Sequence, residues 1–422
     1  MEEQKRGFGN FALIFVINLL VAVSFHILNP TLPKYVVSLG MTTGVAGLVS
    51  TFFVISSLIV RPFSGRMMTQ CSLKKLLSFG LVCLLVSEVG YGLSGSVGML
   101  LVFRLIHGFA WGITTTATAT IAAQTLPEDK LASGIGIFGL GTCISNAIAP
   151  NLGLWLIEGG SFTPLFATAA LMPLLALVLT QFLRLRPVAR KAAAPGKQSF
   201  RLSDFFSARC LIPMVMVLMM SVSVASVSNF LALYAESIQV QSIGLFFTVY
   251  AVALFFSKPM GGTAADKLGF STVIYGCGAL MLAAFVLIAT ARSLPVFLIA
   301  AVLYGMGYGG LQPILQAWSY KRETPERRGV ASSTFFIGLD AGTGIGATVA
   351  GLVVQYLSYR QMYAFMLLPI ACAMLIYLIN SRREGKQSNR IDDMKKGRLT
   401  GFPSAAPSFY GCLKRVQPIS LK

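Results

Sequence analysis

The feature that most constrains this chain is a series of apolar runs, each near or above the roughly 20 residues that a helix needs to cross about 30 Å of hydrocarbon. Twelve can be counted, at about 10–30, 44–64, 76–94, 98–122, 132–156, 162–183, 209–233, 242–261, 271–290, 295–317, 330–357 and 361–380, and the breaks between them are short and polar. Of the 422 residues, 55% are hydrophobic and 12% are charged, whereas a soluble domain carries roughly 25% charged residues. A water-soluble fold could not hide that much apolar surface. The expected class is an all-α membrane protein of twelve transmembrane helices. The first run is long, contains Asn18 and His26, and ends in Asn29-Pro30 with no small-residue cleavage pattern, so it is expected to remain as the first span.

Charge sets the expected orientation. Lys and Arg number 34 against 15 Asp and Glu, a net charge of +19. In a soluble protein that balance would suggest nucleic acid as a partner; here no nucleic-acid partner is expected, because membrane proteins keep Lys and Arg in cytoplasmic loops. With both termini in the cytoplasm, only Lys34, Arg292 and Arg360 fall in outer loops and Arg104 falls inside a span. The opposite orientation would put nearly all the basic residues outside. A multi-pass protein of the inner or plasma membrane is therefore expected, with the lipid bilayer as its constant partner and a monomer as its unit. The seven cysteines form no C-x-x-C pair and most lie in apolar runs, so they read as small core residues.

The longest break between spans divides the chain. The expected organisation is a cytoplasmic N-terminus (1–9), a six-helix bundle (10–183), a basic cytoplasmic linker (184–208), a second six-helix bundle (209–380) and a basic, disordered cytoplasmic tail (381–422). The halves share landmarks. Arg61-Pro62 after the second span and Lys258-Pro259 after the eighth are 197 residues apart, as are Gly108 and Gly305, and Gly112 and Gly309; Pro127 and Pro325 differ by one more. Two parallel six-span repeats, related by an axis along the membrane normal, can alternate a shared site between the two sides.

Several motifs carry a family resemblance. Gly262, Asp266, Lys267 and Gly269 resemble the G-x-x-x-D-[RK]-x-G loop of the major facilitator superfamily, and they follow the eighth span, where its second copy belongs. The first copy, from Gly65 and Arg66 to Lys74 and Lys75, is degraded, with Thr69, Gln70 and Ser72 at the Asp, basic and Gly positions. Arg104 and Gly108 in span four resemble the R-x-x-x-G element of the twelve-span drug/proton antiporter branch. Gly141, Ala149-Pro150 and Gly153 in span five are similar to part of that branch's glycine-proline motif. The resemblance covers about residues 8–382. It implies the major facilitator fold, a loop that latches neighbouring helices, and an arginine at position 104 that takes part in proton coupling.

Ionisable groups at membrane depth cost at least about 2.5–3.5 kcal/mol on insertion scales, so each needs a partner or a task. Glu88 and Arg104 are equally far from the turn at Ser96 and are expected at similar depth, where they could pair. Such a pair could simply orient two helices, or Arg104 could face the cavity and exchange partners. Asp340 lies about eleven residues into span eleven, near mid-membrane at roughly 1.5 Å per residue, with no basic neighbour in sequence. An unpaired carboxyl there would suit a proton carrier; the alternative is an aspartate hydrogen-bonded to a neighbouring helix.

The expected substrate cavity draws on His26 and Asn29 of span one, His107 and Trp111 of span four, Asn146, Asn229, and Tyr308 and Gln312 of span ten. Aromatic walls with few charges would suit amphipathic, apolar or cationic compounds. Gly108, Gly112, Pro150, Gly153, Gly305 and Gly309 are expected to serve helix packing.

Nothing suggests an enzyme: H-E-x-x-H, phosphate-loop and G-x-S-x-G motifs are all missing, and two histidines make a histidine metal site improbable. No cofactor is expected. Without a nucleotide loop, energy must come from a gradient. One proton crossing about 100 mV and one pH unit releases on the order of 3.7 kcal/mol, enough to hold a several-hundred-fold solute gradient. The expected function is proton-coupled efflux of a small organic or drug-like compound, with protons as the second partner. An uptake symporter or facilitator of the same fold, and a membrane sensor or scaffold without transport, are the alternatives.

Overall fold

A computed structural model describes residues 2–29, 31–40, 43–185 and 202–395. In lipid every backbone N–H and C=O must be satisfied within the protein, and the apolar runs meet that demand as helices. They are α1 (Glu2–Leu28), α2 (Leu32–Ser38), α3 (Thr43–Gln70), α4 (Leu73–Leu93), α5 (Val97–Thr125), α6 (Leu131–Phe138), α7 (Leu140–Leu156), α8 (Thr163–Gln181), α9 (Leu211–Ser237), α10 (Gly244–Leu268), α11 (Phe270–Thr290), α12 (Leu294–Lys321), α13 (Arg328–Tyr356), α14 (Tyr359–Phe365) and α15 (Leu367–Lys395). Span five is α6 and α7 joined at Gly139, span twelve is α14 and α15 joined at Met366, and α2 is a short helix between spans. Eleven of the twelve spans are long and apolar enough by composition to cross a membrane. The twelfth, α3, is 28 residues long and carries Arg61, Pro62 and Arg66 in its second half.

Local chemistry sets the helix ends. The Ser96 side chain accepts the Met99 N–H at 3.3 Å at the start of α5, and Ser358 and Gln361 form a capping box at the start of α14. Gly269, at φ +86°, makes the sharp turn from α10 into α11 that a side chain would strain.

Two boundaries differ from the sequence expectation. Residues 61–65 and 258–262, read as breaks, are helical, with Pro62 and Pro259 inside α3 and α10. A proline removes a single N–H, and surrounding helices re-satisfy the freed carbonyl. The expected tail begins as a continuation of α15 to Lys395, through Arg, Glu, Lys and Gln residues of high helix propensity. Most of the basic linker and the rest of the tail lie outside the described residues.

The two halves repeat one packing pattern. Helix α3 packs on α5 as α10 packs on α12, α1 on α7 as α9 on α13, and α1 on α8 as α9 on α15. Glycines set the closest approaches: a Cβ on Gly108 would lie 2.3 Å from the Phe53 carbonyl oxygen, and one on Gly309 would lie 2.0 Å from Ser257 Oγ. Between the halves, α3 lies against α13 and α6 against α10. Asn10 exchanges hydrogen bonds with the backbone of Arg184, which brings the start of α1 to the end of α8 beside the linker. This end of the molecule is called the linker end below.

Candidate functional site

A cavity of about 590 Å³ lies between the halves, within the range of small-molecule pockets. Its floor is on the side of the linker end. There a Cβ on Gly136 would come within 2.3 Å of the Lys258 carbonyl oxygen, and one on Gly65 within 2.7 Å of Ser333 Cβ. Asp266 accepts the backbone N–H groups of Ala132 at 3.3 Å and Ser133 at 2.8 Å, so its carboxylate caps the first turn of α6 in the opposite half. Arg328 pairs with Glu128 and donates to the Ala123 carbonyl at 2.8 Å, a second bridge between halves. The degraded first loop copy acts differently. Thr69 donates to the Arg66 carbonyl of its own helix, and Arg66 approaches Asp204 at 4.0 Å and lies over the Phe205 ring.

An ion pair between the halves lies beside the cavity. Arg61 of α3, with its side chain 1% exposed, donates through Nε to Asp340 Oδ2 of α13 at 2.6 Å. Ser57 Oγ donates to the same oxygen at 3.2 Å. The guanidinium also reaches Thr115 at 3.3 Å and Thr116 at 3.2 Å, and lies 4.6 Å from the Phe336 ring centroid. Asp340 is therefore not the unpaired carboxyl that the sequence suggested. Its partner is 279 positions away in the chain, brought close by the packing of α3 on α13. Its side chain is 19% exposed and lines the cavity.

Glu88 and Arg104 are both buried, at 0% and 3% exposure, and they do not form the expected ion pair. Ser24 of α1 donates to Glu88 Oε1. Arg104 turns towards α3 instead, donating to the Val49 carbonyl at 3.1 Å and lying 4.8 Å from the Phe53 ring centroid. Glu88 Oε2 and Arg104 Nη1 have no hydrogen-bond partner, nor has Nε2 of the neighbouring His107, whose Nδ1 meets the Tyr91 hydroxyl at 2.9 Å. Counting residues to a turn gives position along a helix, whereas direction around its axis decides which side chains meet.

Of the expected cavity residues, Asn29, Trp111, Asn229 and Gln312 line the cavity. Trp111 stacks on Phe25 with ring centroids 4.3 Å apart. His26 and His107 lie behind that wall, in edge contact with Phe25. Tyr308 stacks on Tyr304 behind the lining, and Asn146 is exposed away from it. Sequence reading did not assign Arg61, Lys258, Ser57 or Thr115 to the cavity. Arg61 and Lys258 were visible as repeat landmarks, and the 197-residue offset could have drawn attention to both.

The family model of the Major Facilitator Superfamily matches residues 14–240 and again 211–419. The chain belongs to the major facilitator superfamily. Such proteins are transporters rather than enzymes, and the two overlapping matches cover both halves. The chain is 22% identical over 388 residues to the staphylopine export protein of Staphylococcus aureus, covering 87% of this chain and 94% of that protein. It is 24% identical over 404 residues to the multidrug resistance protein MdtG of Enterobacter lignolyticus, covering 92% and 96%. It is also 23% identical over 392 residues to the quinolone resistance protein NorA of Staphylococcus aureus, covering 89% and 97%. Among solved structures, the human organic anion transporter MFSD10 superposes with a TM-score of 0.75 at 18% identity, covering 88% of this chain and 99% of that one. FucP in its outward conformation gives 0.75 at 16%, covering 87% and 97%.

Proposed function

We propose that this major facilitator protein exports a small organic compound in exchange for protons, by alternating access of the central cavity. The observation that carries the reading is the Arg61–Asp340 pair, which joins the halves and also borders the cavity. Protonation of Asp340 would remove its charge and with it most of the attraction that holds α3 to α13 there. The linker end would then be free to part, and return of the proton to water would restore the pair and reseal it. Coupling thus follows from one carboxyl that is either charged and bridging or neutral and free. Glu88, buried with one carboxylate oxygen unpartnered, is a second group that could take a proton, while Arg104 keeps its charge and borders the cavity with one guanidinium nitrogen unpartnered. The relatives named for staphylopine export or drug resistance favour the outward direction, and the positive-inside rule favours termini and linker on the cytoplasmic side of the cell membrane.

Inverted membrane vesicles that overproduce the chain test the reading. With respiration acidifying the lumen, acridine fluorescence is quenched, and an exported compound should reverse the quenching as protons leave. A panel of toxic compounds chosen from growth inhibition of a deletion strain supplies the probes. Accumulation that needs the gradient, with proton release, is the expected result. Proton movement in the same direction as the solute would indicate a symporter, and ligand binding without flux would indicate a sensor.

A further inference from the structure

The repeat carries a charge that no carboxylate pairs with among the described residues. Arg61 and Lys258 occupy matching positions in the two halves, 197 residues apart, and each faces the fifth span of its half's partner repeat: Arg61 faces α13, and Lys258 faces α6 and α7. Asp340 and Cys143 are separated by the same 197 residues. Where Arg61 meets the carboxylate of Asp340, Lys258 meets the Gln312 amide oxygen at 3.3 Å, and its Nζ lies 3.1 Å from where a Cβ on Gly139 would stand, one helical turn before Cys143. Lys258 is 5% exposed and lines the cavity. Of the chain's 15 acidic residues, only Glu88 and Asp340 lie in the interior of the spans; Ser24 engages the first and Arg61 the second. The residues lining the cavity thus include three cations, Arg61, Arg104 and Lys258, and one carboxylate. A buried ammonium is costly unless a counter-charge accompanies it.

We propose that Lys258, with Gln312 beside it, is the binding site for an anionic group of the substrate, so that the cavity selects small amphipathic carboxylates over neutral or cationic compounds. This rests on the transport reading of the same cavity and departs from the expectation of amphipathic, apolar or cationic cargo. The ammonium takes one carboxylate oxygen and the Gln312 amide N–H group can donate to the other, while the stacked Phe25 and Trp111 receive an apolar or aromatic body. The half-repeat that lacks an acid leaves its counter-ion to be supplied by the cargo.

Binding separates this inference from transport. Dansylglycine, dansylglycinamide and dansylcadaverine offer one fluorophore with negative, neutral and positive tails, and are titrated against the purified chain in lipid nanodiscs. The carboxylate is expected to bind at least tenfold more tightly than the amide. Lys258→Gln should bring that ratio below threefold, and Cys143→Asp, which keeps the lysine and supplies an internal counter-ion, should do the same. A wild-type chain that binds the amide or the ammonium as tightly as the carboxylate overturns the proposal, as does a ratio that survives both substitutions. If no dansyl probe binds, Cys143 itself reports. Modification by an anionic and a cationic methanethiosulfonate is followed by peptide mass spectrometry, with each rate normalised to that for free mercaptoethanol. A more than tenfold advantage for the anion that Lys258→Gln abolishes supports the proposal, and equal or cation-favouring rates refute it. Charge-selective binding without flux would sink the transport reading alone, and flux without charge selectivity would sink this inference alone.

Discussion

Replacing Asp340 with Asn should tip the balance between the two ends of the molecule. The substitution keeps the size of the side chain and removes the charge that faces Arg61 Nε at 2.6 Å. Opposite charges centred about 4 Å apart attract by about 4 kcal/mol at an effective dielectric near 20, and truncating one member of a buried pair costs roughly 3–5 kcal/mol. Asp340 is partly open to the cavity, and Arg61 keeps Thr115, Thr116 and the Phe336 ring, so about 2–3 kcal/mol is a fair share. If the pair forms only while the linker end is sealed, that is a shift of about 30- to 160-fold in the equilibrium. Spin labels at Thr69 on α3 and Lys267 on α10, both exposed near the linker end of opposite halves, report the separation by double electron–electron resonance. The wild type in nanodiscs at neutral pH should give mainly the short distance and move towards the long one in acid. Asp340→Asn and Arg61→Gln should each give the long distance at neutral pH, Asp340→Asn should lose most of the acid response, and the double variant should add little. Unchanged distances in both single variants, or an acid response that persists fully in Asp340→Asn, would refute the reasoning.

Three further perturbations probe the surrounding machinery. Asp266→Ala removes the carboxylate that caps α6 from the opposite half, and loss of a cap costs about 0.5–2 kcal/mol; the same spin labels should show partial opening of the linker end. Gly136→Leu places a side chain where the Lys258 carbonyl oxygen would lie 2.3 Å from its Cβ, so the linker end should fail to seal and flux should fall while the chain still inserts, which fluorescence size-exclusion of a tagged protein checks. Glu88→Leu leaves the buried Ser24 hydroxyl without its acceptor at a cost of about 1–3 kcal/mol, whereas Glu88→Gln retains an amide oxygen and should cost less than about 1 kcal/mol; thermal unfolding in detergent should rank them in that order.

Much of the architecture was legible because the membrane leaves few choices. Helix is the only open-chain answer to unpaired backbone groups in lipid, so runs of about 20 apolar residues locate the spans, and the 197-residue landmarks reveal the duplication. Boundaries were less legible where the helices run on: the mixed stretches Arg66 to Gln70 and Asp266 to Leu268 continue α3 and α10 beyond their apolar runs. Pairing was the least legible level. Span depth follows from counting residues to a turn, which put Glu88 level with Arg104, but direction around the helix axis decides partners. That direction gave Glu88 to Ser24 on α1 and Arg104 to the Val49 carbonyl on α3. Asp340 has no basic neighbour along its own helix, and its partner stands on α3 in the other half. The repeat offset contains the missing information, since it aligns Arg61 with Lys258 and Asp340 with Cys143, and so identifies both a bridge between halves and a matching position without an acid.

The central claim is that the seam between the halves at the linker end must part in every transport cycle. Gly329 of α13 and Met68 of α3 meet across that seam, with an ideal Cβ on Gly329 only 2.6 Å from Met68 Cβ, within reach of a disulfide after small adjustment. In the Met68→Cys/Gly329→Cys variant reconstituted in proteoliposomes, gradient-driven flux of a compound identified by the vesicle assay is measured before oxidation, after oxidation and after reduction, with the cross-link counted by mass spectrometry. Flux that falls in proportion to the cross-linked fraction and returns on reduction is the predicted result; undiminished flux through fully cross-linked protein would contradict the account.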